Sequence, residues 1–161
     1  MKMAIYISQD EMAFPYLMQE LGRERLCIGV WCVANAQKVL EDAVKYCKER
    51  KAFGKSIDRF QNTRYKLAEL ATEIDLCEAF VDRTIVELEK GEDITIAGSK
   101  AKLWCSEMLA RVTDECLQLY GGYGYMKEYD ISQYYADARI QRIYGGTSEI
   151  MKEIISRDVL K

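Results

Sequence analysis

One glycine-rich segment, residues 144–149, has the composition of a turn that binds a phosphate or a ribose. Its sequence is Tyr-Gly-Gly-Thr-Ser-Glu. Gly145 and Gly146 allow another molecule to approach the backbone closely, and Thr147 is a predicted N-cap for a helix whose first N–H groups are free. The same residues are also typical of a tight turn between two helices with an ordinary cap. From spacing alone, the plain turn is the favoured interpretation.

Two further segments have related chemistry. Residues 118–122 (QLYGG) end in a glycine pair, and residues 50–54 (RKAFG) are followed by Gln61. Arg50 is suited to bidentate binding of a pyrophosphate, and Phe53 is suited to stacking on a ring. Taken singly, each segment is better explained as a capped helix end, because glycine commonly terminates helices.

The absence of histidine excludes several classes of site. A chain of 161 residues without histidine has no Ser-His-Asp or Cys-His catalysis, no histidine-ligated metal and no Glu-x-x-His di-iron site. We therefore predict no metal site, and any general acid or base must be Glu, Asp, Tyr, Cys or Lys. The net charge of −3 argues against a nucleic-acid-binding surface.

The six cysteines are predicted to be free thiols. None forms a C-x-x-C pair, and most have apolar neighbours, which is typical of buried thiols in a reducing compartment. No apolar run approaches the roughly 20 residues of a membrane helix, and residues 1–12 lack the apolar centre of a signal peptide. We predict a cytoplasmic location, or the mitochondrial matrix if the parent protein is eukaryotic.

Helical periodicity covers nearly the whole chain, which contains one proline. Apolar residues at three-and-four spacing predict helices over residues 14–51, 58–90, 94–120, 131–142 and 147–159. The one segment with a strand-like pattern is residues 4–8. The predicted fold class is all-α: an antiparallel four-helix bundle with a short extra helix at the C-terminus.

Two stripes and one apolar segment define the expected core. The stripe of the second helix is Leu67, Leu70, Ile74, Cys77, Val81, Ile85 and Leu88. The stripe of the third helix is Ala97, Ala101, Trp104, Met108, Val112, Cys116 and Leu119. In the first helix, residues 26–34 (LCIGVWCVA) carry no charge on any face, so this helix is expected to be central and buried on several sides.

Taken together, the three glycine-containing segments resemble the acyl-CoA dehydrogenase family. The resemblance rests on residues 49–55 (ERKAFGK) followed by Gln61, on residues 118–124 (QLYGGYG) and on residues 143–150 (IYGGTSEI). All three occur in the family's order and at about its spacing, within residues 14–161. The chain is similar to the C-terminal helical domain of that family, most of all to its long-chain and short-branched-chain members.

The resemblance implies an activity, a cofactor and partners. Family members are FAD-dependent and oxidise acyl-CoA thioesters to trans-2-enoyl-CoA. A glutamate removes the α-proton while a hydride leaves the β-carbon for flavin N5, and an electron-transferring flavoprotein accepts the electrons. By resemblance, the substrate is an acyl-CoA, the cofactor is FAD, and the electron acceptor is an electron-transferring flavoprotein.

The resemblance also implies a catalytic base. In many family members the glutamate directly follows the tyrosine that corresponds to Tyr144, but this position is Gly145 here, which cannot accept a proton. Long-chain and isovaleryl members carry the base on the first long helix, in a Glu-Arg-Leu context that matches Glu24, Arg25 and Leu26. Glu24 is thus the implied base, and Arg25 is the implied substrate contact. Without the resemblance, Glu24 has the pattern of an ordinary solvated helix residue.

The remaining implied residues bind FAD. One set matches segments that contact the cofactor of a neighbouring subunit: Arg50, Lys51, Ala52, Phe60, Gln61, Gln118, Gly121 and Gly122. A second set matches the turn that holds the cofactor of the chain's own subunit: Gly146, Thr147 and Glu149. Because the family shares its cofactor across subunits, the resemblance implies a homodimer or a homotetramer.

Two hypotheses of different class remain open from the sequence. The family's N-terminal helical domain and middle β-domain have no counterpart in residues 1–161, and residues 1–13 do not match the family. The first hypothesis is the C-terminal part of an acyl-CoA dehydrogenase, which we expect to be inactive by itself. The alternative is a non-catalytic helical dimerisation or binding module derived from that family.

Overall fold

Five α-helices make up most of the computed structural model, which describes residues 13–161 and the side chains from residue 20 onward. The helices are α1 (Ala13–Glu49), α2 (Gln61–Glu89), α3 (Thr95–Tyr120), α4 (Asp130–Ile140) and α5 (Ser148–Val159). The predicted all-α bundle with a short additional C-terminal helix is confirmed. The strand-like segment at residues 4–8 lies outside the described residues.

Helices α1 and α3 form the centre of the bundle. They make the most extensive contact in the fold, α2 packs on both, and α4 and α5 pack on α3. Gly22 and Gly98 allow the backbones of α1 and α3 to meet, since a Cβ on Gly98 would collide with the carbonyl oxygen of Gly22. Almost completely buried side chains of these two helices include Cys32, Ala36, Val39, Ala43, Met108 and Val112. The α1–α3 pair therefore forms the rigid core that positions the segments connecting the helices.

The apolar stripes are confirmed in their central turns, whereas the members Leu67, Ile85, Leu88, Ala97 and Leu119 are half-buried. Buried members are Leu70, Ile74, Cys77 and Val81 of α2 and Ala101, Met108, Val112 and Cys116 of α3. The prediction is wrong for Trp104, whose side chain is 63% exposed. Cys105 takes the buried position, and adjacent helix residues point about 100° apart, so Trp104 turns to the surface. There it borders an apolar groove with Leu76 and Phe80.

One face of α1 is apolar and uncovered by the described residues. The segment 26–34 is central, as expected, but the prediction of burial on several sides is wrong for Cys27, Val30, Trp31 and Ala34, which are exposed. These four residues recur at three-and-four spacing and therefore share one face, which we call the α1 outer face. The other five cysteines are buried, and all six are free thiols.

The connection between α1 and α2 is a small hairpin rather than a simple helix end. Helix α1 ends at Glu49, two residues before the expected end at Lys51, because β1 (Lys51–Ala52) pairs with β2 (Lys55–Ser56). Phe53 and Gly54 form the turn with φ of +52° and +80°, as a two-residue hairpin turn of type I′ requires. Strands of two residues have no detectable period, so the sequence did not reveal them.

The other connections bring further residues toward the bundle ends. A 3₁₀ segment (Ile57–Arg59) precedes α2, and a second (Gly121–Tyr125) follows α3. The expected starts and ends of α3, α4 and α5 agree with the structure to within two residues. Helix α2 begins at Gln61, three residues after the expected start at residue 58, because the first 3₁₀ segment occupies residues 57–59. Among residues 13–161, no helix is both long enough and apolar enough to cross a membrane.

Candidate functional site

The glycine-rich segment 145–149, which we call the inner turn, packs on α1. φ is +66° at Gly145 and +100° at Gly146. A Cβ on Gly145 would lie 2.6 Å from Cδ1 of Ile28, so the turn touches α1 closely. Thr147 is the N-cap of α5, as predicted, and its hydroxyl accepts a hydrogen bond from Ile150 N at 3.4 Å.

Helix α3 fixes the inner turn from the other side. Lys102 Nζ donates to the carbonyl oxygen of Gly146 at 2.6 Å. Five residues further along α3, Glu107 accepts a hydrogen bond of 2.7 Å from Ser148 Oγ and pairs with Arg142 at 3.0 Å. The inner turn is therefore anchored at its centre and at both flanks.

The two residues expected to act on the substrate lie beside each other on α1, in different environments. Glu24 is exposed, whereas Arg25 is 5% exposed and donates from Nη1 to Ser99 Oγ at 3.2 Å. Nε of Arg25 has no hydrogen-bond partner in the described part of the chain. Burial lowers the pKa of Arg25, and the carboxylate of Glu24 acts in the opposite direction. Glu24 is one helical turn before Ile28, on the same face of α1.

A second site, which we call the outer cavity, opens at the far end of α1. It has a volume of about 550 Å³. Four of the expected cofactor residues line it together: Arg50, Gln118, Gly121 and Gly122. Their convergence is notable because 68 residues of sequence separate Arg50 from Gln118. The predicted grouping of these segments is thus present in the structure, while their role stays a prediction.

Tyrosines form the floor of the outer cavity. The rings of Tyr46 and Tyr120 stack at 4.0 Å with an interplanar angle of 16°. The guanidinium of Arg50 lies 5.3 Å from the ring centroid of Tyr123, at a distance that permits a cation–π interaction. Burial raises the pKa of Tyr46 and of Tyr120, so both hydroxyls stay neutral near pH 7. The cavity therefore combines an aromatic floor with a fixed cation.

The remaining residues of the first expected cofactor set lie near the outer cavity without lining it. Lys51 and Ala52 form β1. Phe60 lies edge-on to Phe53 at 6.3 Å. Gln61 is exposed at the start of α2 and donates to Tyr65 Oη at 2.6 Å. Cofactor binding by these residues remains a prediction, because no contact in the described chain tests it.

Glu149 belongs to the inner turn and not to the outer cavity. It lies in the first turn of α5. Hydrogen bonds from its own backbone N–H and from Thr147 lower the pKa of its carboxyl group, which is therefore ionised near neutral pH. Gly146, Thr147 and Glu149 thus form a group separate from the cavity residues, as the two sets predicted from the sequence require.

Sequence reasoning missed three residues that organise these sites. Lys102 holds the inner turn, Ser99 holds Arg25, and the ring of Tyr123 lies under Arg50. Each of these two residue types, lysine and serine, is normally predicted to be exposed to solvent. No sequence signal marked them, because Gly98, Lys102 and Ser106 share helical spacing on α3 without being apolar, and their burial is evident only in the structure. Within the described residues, no group of three Cys, Asp or Glu side chains is arranged to hold a metal ion.

Comparison with known proteins decides the family. A sequence profile described as "Acyl-CoA dehydrogenase, C-terminal domain" matches residues 14–160. The chain belongs to the acyl-CoA dehydrogenase family. Members of this family are oxidoreductases and flavoproteins, and the match covers every segment of the inner turn and the outer cavity.

Three relatives illustrate the extent of the match. The chain is 46% identical over 154 residues to the mitochondrial long-chain specific acyl-CoA dehydrogenase of Sus scrofa, covering 96% of this chain and 36% of that protein. The crystal structure of an acyl-CoA dehydrogenase from Geobacillus kaustophilus superposes with a TM-score of 0.90 at 44% identity, covering 92% of this chain and 39% of that one. A subunit of the caffeyl-CoA reductase–Etf complex of Acetobacterium woodii is 35% identical over 148 residues, covering 92% of this chain and 39% of that subunit.

The acyl-CoA dehydrogenase relatives are much longer than this chain. The chain spans between about a third and two fifths of the length of each of these three proteins. The family membership applies to the helical domain described above.

Proposed function

We propose that this chain is the C-terminal domain of a FAD-dependent acyl-CoA dehydrogenase in which Glu24 is the general base. The observation that carries the proposal is the packing of the inner turn on α1. Gly145 contacts Ile28, and Glu24 lies one turn earlier on the same face of that helix. A carboxylate at position 24 therefore lies on the helix that borders the turn where other family members place their base.

The residues of both sites fit a flavin dinucleotide. The outer cavity offers one guanidinium, an aromatic floor and two glycines without Cβ, a set suited to the diphosphate and ring parts of such a molecule. The inner turn offers two glycines and the capped start of α5. Arg50, Gln118 and Gly122 would hold one cofactor, and Gly146 with Thr147 would hold another. FAD, when bound, supplies the acceptor for the hydride.

The chain's own residues have distinct tasks in this mechanism. A carboxylate oxygen of Glu24 accepts the proton from the α-carbon of the acyl-CoA. Arg25, adjacent to Glu24 and fixed by Ser99, contributes a buried positive charge next to the reacting carboxylate. Gly145 leaves the alternative base position empty of side-chain atoms.

The same proposal includes partners and a compartment. We expect a homodimer or a homotetramer, because the two sets of cofactor residues lie at separate places in one chain. We expect an electron-transferring flavoprotein as electron acceptor, in line with the relative that is a subunit of a reductase–Etf complex. The proposed location is the cytoplasm, or the mitochondrial matrix if the parent protein resembles its mitochondrial relative.

The first measurement is the flavin content of the purified 161-residue chain, as isolated and after addition of FAD, on a species of defined size. Activity is then tested in a chimera that joins residues 14–161 to the preceding domains of the Geobacillus kaustophilus relative. Acyl-CoA-dependent reduction of a dye acceptor is compared between the chimera and its Glu24→Gln variant. Loss of the base is expected to lower turnover by about 10²–10⁴-fold with the flavin absorbance per subunit unchanged.

Glu20→Gln is the matched control for this test. Glu20 is an exposed glutamate one turn earlier on α1, and it pairs with Arg23 at 3.4 Å. Its replacement is expected to leave turnover unchanged. Retained turnover in Glu24→Gln would reject the base. If replacing Glu24, Arg50 and Gln61 together changes neither flavin content nor turnover nor assembly, the non-catalytic module is the correct description.

A further inference from the structure

Lys102 is the largest completely buried side chain of the described chain. Its exposed fraction is 0%. Its Nζ donates a hydrogen bond of 2.6 Å to the carbonyl oxygen of Gly146. Among the residues whose side chains are described, no carboxylate lies within ion-pair distance of this ammonium group. A buried cation thus has a backbone carbonyl as its polar partner.

This arrangement is unfavourable for the stability of the core. Burial lowers the pKa of Lys102, because desolvation disfavours the charged ammonium. An apolar side chain of similar length, such as methionine, fills such a site without this cost. What lysine offers beyond a methionine is its N–H donor, and that donor is directed at the inner turn.

The acceptor belongs to the peptide group that joins Gly146 to Thr147. In a planar trans peptide the C=O and the N–H point in opposite directions, and the described chain contains no cis peptide. A hydrogen bond that holds the carbonyl toward the buried Lys102 therefore directs the Thr147 N–H away from α3. Among the backbone groups of residues 13–161 and the side chains from residue 20 onward, this N–H has no hydrogen-bond acceptor.

Without Lys102 this peptide would have little to fix its orientation. Both glycines of the inner turn have positive φ and are free to adopt other conformations, because they lack Cβ. Glu107 anchors the neighbouring Ser148 and Arg142, but it forms no hydrogen bond with the Gly146–Thr147 peptide. Lys102 is the one described side chain that hydrogen-bonds this peptide.

We propose that Lys102 is a positioning residue that orients the Gly146–Thr147 peptide so that the Thr147 N–H and the first turn of α5 face a bound FAD. The inference rests on the proposed function, since it assigns the outward side of the inner turn to the cofactor. Lys102 itself touches neither substrate nor cofactor. It acts through the backbone group that it fixes.

The test compares Lys102→Met with Lys100→Met in the 161-residue chain. Lys100 is on the same helix, is half-buried and has no polar partner in the inner turn, so it is the matched control. Three quantities are measured: the melting temperature, the hydrogen exchange of the Ile150 and Met151 amides, and the dissociation constant of FAD. These amides donate to Thr147 and therefore report the geometry of the turn.

Lys102→Met is expected to melt at the wild-type temperature or above it, because an apolar side chain replaces a buried cation. Exchange of the two amides is expected to be at least about tenfold faster, and the dissociation constant of FAD at least about tenfold higher. Lys100→Met should change none of the three by more than about twofold. A folded Lys102→Met variant with wild-type exchange and wild-type FAD affinity would overturn the proposal.

A measurement on the unmodified protein covers the case in which Lys102→Met does not fold. The ¹³Cε resonance of Lys102 and the carbonyl ¹³C resonance of Gly146 are followed against pH. We expect both to titrate together, at a pKa below that of an exposed lysine because burial disfavours the ammonium. A Gly146 carbonyl that does not respond to Lys102 would overturn the proposal. If the wild-type chain binds no FAD, the proposed function fails for this chain, while amide exchange and the carbonyl titration still decide the role of Lys102.

Discussion

The inner turn and the outer cavity both use glycines and a basic residue, but the chain supports them differently. At the inner turn, Lys102 and Glu107 bind from α3 and Ile28 packs from α1. At the outer cavity, Arg50 rests on Tyr123, and the adjoining hairpin extends into solvent with Phe53 95% exposed. The comparison indicates that the inner turn is preorganised by its own chain, whereas the hairpin side is not enclosed by the described residues.

The largest predicted effect concerns the helix crossing that carries the inner turn. Gly98→Ala would place a Cβ against the backbone oxygen of Gly22, and neither backbone is able to move without separating α1 from α3. We expect the free energy of unfolding to fall by about 3 kcal/mol, measured by urea denaturation. The control is Gly122→Ala at the outer cavity, where no atom lies within 4 Å of the new Cβ and a change within about 0.5 kcal/mol is expected. Equal losses would remove the distinction between the two regions.

A second prediction concerns the vacant base position. Gly145→Glu introduces a side chain at φ +66° with its Cβ 2.6 Å from Cδ1 of Ile28. We expect a loss of about 2–4 kcal/mol from backbone strain and overpacking together. Ile28→Val removes that Cδ1 atom. The double variant should therefore lose about 1 kcal/mol less free energy of unfolding than the sum of the losses in the two single variants. Strict additivity in urea denaturation would show that Ile28 is not the obstacle.

At the outer cavity, a smaller effect is expected from the ring under Arg50. Tyr123→Leu removes the aromatic face that orients the guanidinium, and a cation–π interaction at an exposed site contributes about 0.5–1 kcal/mol. The dissociation constant of FAD should therefore rise about two- to fivefold. Tyr123→Phe keeps the ring and should bind FAD as the wild type does. An equal loss in both variants would assign the effect to the hydroxyl instead.

The smallest effect is expected at the tip of the hairpin. Phe53 has φ +52°, a conformation that asparagine tolerates better than phenylalanine, and its ring is almost fully exposed. Phe53→Asn should raise the free energy of unfolding by up to about 0.5–1 kcal/mol, whereas Phe53→Ala should give no comparable gain. Thermal unfolding of the two variants distinguishes backbone relief from simple removal of the ring. Destabilisation by Phe53→Asn would mean that the edge-on contact of the ring with Phe60 outweighs the backbone relief.

The sequence predicted the helices well, because their stripes extend over many turns and each turn repeats the same signal. The sequence-based prediction failed where an element has only two residues, or where two adjacent apolar residues could each occupy the buried position. The hairpin at Lys51–Ser56 has two residues per strand, and Trp104 is next to the truly buried Cys105. The absence of charge at residues 26–34 indicated a central helix but did not show which face has no partner.

The candidate sites were predictable as segments and not as contacts. The order and spacing of the glycine motifs indicated which residues to group, and Arg50, Gln118 and Gly122 do meet in one cavity. The support of the inner turn was not predictable, since nothing local distinguishes a buried lysine from a solvated one. Its burial follows from the close crossing of α1 and α3, which is a tertiary property. The roles of Glu24 and Arg25 stay predictions for the experiments above.

The uneven burial of the cysteines makes one position of this domain selectively reactive toward thiol reagents. Burial raises the pKa of the thiols at Cys32 to about 12 and at Cys47 to about 11, while Cys27 is open to solvent. A thiol reagent added to the native chain should therefore modify a single position quickly, four residues before Trp31 on the α1 outer face. A fluorophore attached there would report, by quenching or by loss of labelling, when another surface covers that face.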